Sequence, residues 1–182
     1  MKSKYKKMTI ALAGLFVLSS TYGQTAPGTG RITFNGELTA NTCSINGGDV
    51  DQTVQLPKVS TSSLSTAGAI AGSRMFQIRV EKCAADVTNI AAHFETFNID
   101  AATGNARNVA DAAGAAKNVT VQLVDGDGTT AVKLGDTGKY VAVSGTGDER
   151  GARLDYGGQY YATGATTAGI VQAVVKYTIA YQ

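Results

Sequence analysis

From Ile170 to Tyr181 the chain sets Val171, Ala173, Val175, Tyr177, Ile179 and Tyr181 at every second position. A period of two puts all six on one side of an extended strand, whereas a helix would scatter them around its axis. Residues 31–40 repeat the pattern. Ile32, Phe34, Gly36, Leu38 and Ala40 share one parity, while Arg31, Thr33, Asn35, Glu37 and Thr39 share the other. The expectation there is a half-buried first strand. Residues 50–56 (stopped by Pro57), 75–83, 90–99, 119–124, 130–134, 140–144 and 158–162 read as further strands, and Asp125-Gly126-Asp127-Gly128 reads as a hairpin turn between two of them. Short strands at regular spacing predict an all-β fold, an antiparallel sandwich. Two stretches are read otherwise. Residues 64–71 are expected to form one short helix, and alanine-rich 101–116, interrupted by Gly104 and Gly114, a loop or irregular hairpin. No internal repeat and no linker divides the chain.

The N-terminus carries Lys2, Lys4, Lys6 and Lys7, then an apolar run from Met8 to Leu18, then small residues up to Gly23. That order predicts a secretory signal over residues 1–23, cleaved after Gly23; the apolar run is too short to span a bilayer. Removing four of the sixteen basic residues leaves twelve against fourteen acids, so the mature chain carries about −2 rather than +2. No basic stripe remains to recommend nucleic acid as a partner. Cys43 and Cys83 are the only cysteines. In an exported chain an even count reads as a disulfide, and two thiols with one histidine fall short of a metal site's ligand set.

Catalytic constellations are not found. His93 is the single histidine, and no serine sits in a nucleophile elbow that it would serve. Asp125 and Asp127 lack the third acidic ligand and the distant glutamate of a calcium loop, so a plain turn is expected. No phosphate-cradling glycine loop opens a helix. The reading is therefore of a chain that is not an enzyme and holds neither cofactor nor metal.

The two ends look unfinished. The alternating segment at the C-terminal edge presents a long apolar face, which native proteins normally cover. At the other end, residues 24–33 form a small, polar, glycine-rich arm. Head-to-tail joining of such ends between copies does not close on itself and gives a filament.

The motifs agree with that picture. Phe34-Asn35-Gly36-Glu37-Leu38 followed by Cys43-Ser44-Ile45, then Val50-Asp51-Gln52-Thr53-Val54-Gln55-Leu56, then Cys83, then Tyr160-Tyr161-Ala162-Thr163-Gly164-Ala165, and finally Gly169 with Tyr181, occur in order. The chain thereby resembles the major subunits of type 1-like fimbriae assembled by the chaperone–usher pathway. The resemblance implies an incomplete immunoglobulin-like antiparallel β-sandwich, completed by a donor strand from a neighbouring subunit. It implies a donor extension over 24–33 and a pilin domain over 34–182. Ala26, Gly28, Gly30, Ile32 and Phe34 would form the donor face. Gly169, Val171, Val175, Tyr177, Ile179 and Tyr181, with the first strand, would form the acceptor groove and the chaperone-binding terminal strand. The implied partners are further copies of this chain, a periplasmic chaperone, an outer-membrane usher and minor or tip subunits. The implied location is a fimbrium on the cell surface, reached through the periplasm. Two other readings stay open at this point: a minor or adaptor fimbrial subunit, and an exported, disulfide-linked β-sandwich binding protein that is a self-sufficient monomer.

Overall fold

The computed structural model describes residues 31–38 and 42–182. The proposed signal, and Ala26, Gly28 and Gly30 of the proposed donor face, lie outside the described residues. The chain divides into two compact units, Met1–Leu38 and Thr39–Gln182. In the first, residues 31–38 join no sheet, and all eight are exposed. The half-buried strand expected over 31–40 is therefore not formed there. Alternation supplies a face, but a strand also needs a partner edge, and among the described residues none pairs with this segment.

The second unit is a β-sandwich. β1 (Ser44–Ile45), β2 (Ile70–Glu81), β8 (Ala152–Ala162), β5 (Val119–Asp125) and β4 (Ala106–Arg107) follow one another in one antiparallel sheet, with β6 (Ala131–Val132) also paired to β5. The second sheet runs β7 (Val141–Ala142), β3 (Asn89–Phe94), β9 (Tyr177–Tyr181). Its register pairs Ala92 with Ile179 and Phe94 with Tyr177, which leaves β9 at an edge.

The core lies where the sheets face each other. Ile78 and Val80 of β2, Leu154 and Tyr156 of β8 and Leu123 of β5 meet Ile90, Ala92 and Phe94 of β3 in one buried cluster. Tyr156 stands edge-on to Phe94 with ring centroids 5.0 Å apart, a favoured aromatic geometry. The expected disulfide is present: Cys43 and Cys83, forty residues apart, are bonded, and tie the approach to β1 to the end of β2.

Several expected elements shift. The hairpin turn forms as read, with Gly128 at φ 72° and its N–H donating to the Asp125 carbonyl. The expected helix over 64–71 is replaced by a 3-10 turn, Thr61–Leu64, and by the start of β2. Ser60 caps that turn by accepting from the Ser62 N–H, and Gly68, at φ 86°, breaks any continuation. Residues 101–116 form an irregular hairpin whose only strand is the short β4. Finally, residues 50–56 and 171–176 alternate as strands do, yet neither joins a ladder.

Candidate functional site

These two ladder-free stretches face a common cleft. Residues 50–56 form one rim and 171–175 with Tyr177 form the other, around a groove of about 610 Å³. Its floor is made of buried and half-buried core residues: Phe76 and Ile78 from β2, Phe94 from β3, Val121 and Leu123 from β5, Gly158 and Tyr160 from β8. A smaller cavity of about 440 Å³ shares Tyr160 and Val171 with it and reaches Lys58, Leu64, Thr166 and Gly169. The groove thus runs along one side of the core, between the two rims.

Hydrogen bonding explains why the rims stand apart. Along the second rim, the Gln172 N–H donates to Asn108 Oδ1 at 3.0 Å, the Val109 N–H donates to the Gln172 carbonyl at 2.7 Å, and the Glu95 N–H donates to the Lys176 carbonyl at 2.9 Å. Those bonds hold Gln172 and Lys176 from the side away from the groove. Val171, Ala173 and Val175 make no backbone hydrogen bond among the described residues, and neither do residues 51–58 of the first rim. In an extended chain, alternate residues direct their backbone groups to opposite edges. The second rim is therefore held from its outer edge at Gln172 and Lys176 and leaves the inner edge vacant, and its odd-numbered side chains sit half-buried. Unpaired backbone beside an apolar floor is what a further strand would satisfy.

The structure separates the residues singled out from the sequence. Val171, Val175 and Tyr177 line the groove, and Gly169 lines the adjoining cavity. A Cβ at Gly169 would press on the Ala115 carbonyl carbon at 2.7 Å, where Ile170 bridges to the 114–116 backbone. Glycine is needed there for close approach. Ile179 and Tyr181 lie in β9, packed on the core rather than lining the groove, and the Tyr181 hydroxyl accepts from the Cys43 N–H. The facing rim of this cleft is residues 50–56, and the first strand read from the sequence does not line it among the described residues. Ile32 and Phe34 are 81% and 90% exposed, and Leu38, outside the donor set read from the sequence, is 100% exposed. The floor residues Phe76, Ile78, Phe94, Leu123 and Tyr160 were not singled out. Their alternation marks them as core, and nothing local marks which part of a core lies uncovered.

The remaining candidates are occupied with local structure. His93 Nδ1 lies 3.0 Å from Thr137 Oγ1. The Asp127 carboxylate accepts from the Thr130 hydroxyl and from the amides of Thr130 and Thr129, and these bonds hold its pKa well below the usual carboxylate range. Among the described residues no group of three or more His, Cys, Asp or Glu could hold a metal ion.

Comparison with known proteins agrees with this geometry. The family model described as "Fimbrial protein" matches residues 32–182. The F17 fimbrial protein of Escherichia coli is 41% identical over 159 residues, covering 84% of this chain and 87% of that protein. The major fimbrial subunit SMF-1 of Stenotrophomonas maltophilia (strain K279a) is 42% identical over 159 residues, covering 84% and 92%. Among solved structures, a chaperone–usher pilus subunit superposes with a TM-score of 0.60 at 18% identity, covering 87% of this chain and 99% of that one, which supports the fold. The chain belongs to the fimbrial protein family, and is a subunit of a bacterial surface fimbria.

Proposed function

We propose that this chain is the repeating structural subunit of its fimbria, has no enzymatic role, and polymerises by strand exchange. The groove between residues 50–56 and 171–177 accepts an extended arm from the next copy, and the subunit's own arm fills the groove of another. The observation that carries this reading is the vacant backbone edge at Val171, Ala173 and Val175 beside an apolar floor. The arm has matching properties. Ile32, Phe34, Gly36 and Leu38 share one parity, and the three with large side chains are exposed in their own unit. On this reading the arm extends past residue 33 to Leu38, where the compact unit ends, and Ala26, Gly28 and Gly30 continue it toward the N-terminus. Burying a side chain such as Ile32 or Phe34 contributes roughly 1.5–3 kcal/mol. Each main-chain bond adds about 0.5–1.5 kcal/mol.

Before assembly the same groove requires another strand, since an open apolar cleft invites aggregation. A periplasmic chaperone would supply it, an outer-membrane usher would exchange it, and minor or tip subunits would cap the fibre and support adhesion. The test is deletion of residues 24–30 together with Ile32→Asp. The expected product is a chaperone-bound subunit that never extends a fibre; normal filaments from it, seen by electron microscopy, overturn the reading.

A further inference from the structure

The chain holds two Asn-Gly pairs in opposite surroundings. Asn46 is half-buried, and its Oδ1 accepts from the Arg79 N–H at 2.8 Å, which anchors the side chain on β2. Asn35 is exposed in a stretch that joins no sheet, and a Cβ built at Gly36 meets nothing within 4 Å. The intrinsic instability of Asn-Gly arises because glycine neither shields its own amide nor restricts the backbone. Only at Asn35 are both side chain and backbone free to reach the reactive geometry.

We propose that Asn35-Gly36 is a spontaneous modification site that retires subunits left unassembled. The Gly36 amide nitrogen attacks Asn35 Cγ and loses its proton. The new C–N bond closes a cyclic imide while the Cγ–Nδ2 bond breaks and ammonia leaves. One water then opens the ring. Attack at Cγ yields aspartate; attack at the backbone carbonyl carbon yields isoaspartate, in which the main chain runs through Cβ and Cγ. Both products exchange a neutral amide for a carboxylate, and neither route needs an oxidant or cofactor.

Isoaspartate inserts one methylene into the main chain between Phe34 and Gly36. The parity shared by Ile32 and Phe34 then no longer continues to Leu38, and register in a pleated partner is lost. This consequence rests on the strand-exchange reading: a damaged arm would fit the neighbouring groove poorly. Once seated in a ladder, the backbone is held away from the cyclising geometry, so assembled subunits are protected.

The test incubates chaperone-bound full-length mature subunits and finished fibres side by side at mildly alkaline pH. Cleavage after Arg31 and Glu37 places Asn35 and Asn46 on separate fragments for mass spectrometry. The expected result is an amide-to-acid mass shift and an isoaspartate component at Asn35 in free subunits, with Asn35 intact in fibres and Asn46 intact in both. Aged wild-type subunits join fibres less well than fresh ones in proportion to that conversion, while aged Asn35→Gln subunits join as well as fresh Asn35→Gln subunits, whatever the level at which that variant joins. Conversion at Asn46 with Asn35 unchanged, or converted subunits that join as fast as fresh ones, overturns the proposal. The mass shift is read without assembly, so its failure is distinct from a failure of strand exchange, which fibres from arm-deleted subunits would reveal.

Discussion

The hydroxyl of Tyr177 donates to the backbone carbonyl of Val50 at 3.0 Å, so the two rims of the groove are tied together where β9 begins. The phenol remains a donor over a wide pH range, because burial, and secondarily Asp51, raises its pKa above the ordinary 10.0. Tyr177→Phe removes the tie and keeps the ring. The bond is at the surface, so the expected loss is at the low end of a net hydrogen bond, about 0.5 kcal/mol. The urea midpoint of the subunit carrying a synthetic donor peptide should fall slightly, and the peptide should dissociate faster. An unchanged dissociation rate would remove the rim tie from the account.

Cys43 and Cys83 close a loop of forty residues. In the chain-entropy treatment such a bond stabilises by roughly 3–4 kcal/mol. The double variant Cys43→Ser, Cys83→Ser should lower the denaturation midpoint of the donor-complemented subunit by a corresponding amount, and lower its periplasmic yield. Equal midpoints under oxidising and reducing conditions would show that the bond carries no stability.

The alternation of residues 171–181 made the edge of the sandwich legible, and the even count of two cysteines anticipated the Cys43–Cys83 bond. The groove itself was only half legible. Val54 and Leu56 repeat with the period of any strand, and sequence period says nothing about whether a partner edge is present. Residues 31–40 misled for the same reason: Ile32 and Phe34 have the parity of a core strand but lie exposed in their own unit. On the strand-exchange reading, a segment that completes another copy's core carries the same pattern as one that completes its own. The helix expected over 64–71 failed on a local competitor, the Ser60 cap and the left-handed Gly68.

Tyr156 is 1% exposed, and its hydroxyl oxygen accepts from the Ala92 N–H at 3.2 Å. Tyr156→Phe leaves that amide buried without its partner, at an expected cost of about 1–3 kcal/mol. Burial, the largest influence, raises the Tyr156 pKa above its ordinary 10.0, against the opposing bond from Ala92. A group whose folded pKa is raised contributes stability that is complete below the unfolded value and is lost as pH climbs through the folded one. Wild-type stability should therefore fall above about pH 10, and Tyr156→Phe should lack that part of the alkaline decline. Parallel alkaline profiles for the two proteins would assign the decline to other groups.

Phe34 and Ile32 offer the sharpest separation between a subunit and its polymer. Their exposures of 90% and 81% mean that truncating either removes almost no contact within the arm's own unit. In the fibre each would fill an apolar groove, where losing the side chain forfeits roughly 1.5–3 kcal/mol. Phe34→Ala and Ile32→Ala should leave the yield and unfolding midpoint of the isolated, peptide-complemented subunit unchanged, because the added peptide occupies the groove. Fibres built from either variant should release subunits at lower denaturant than wild-type fibres, and the double variant should lose more than each single one. Fibres of undiminished resistance would place these two side chains outside the joint between copies. A matching drop in the isolated subunit would place them in its own core.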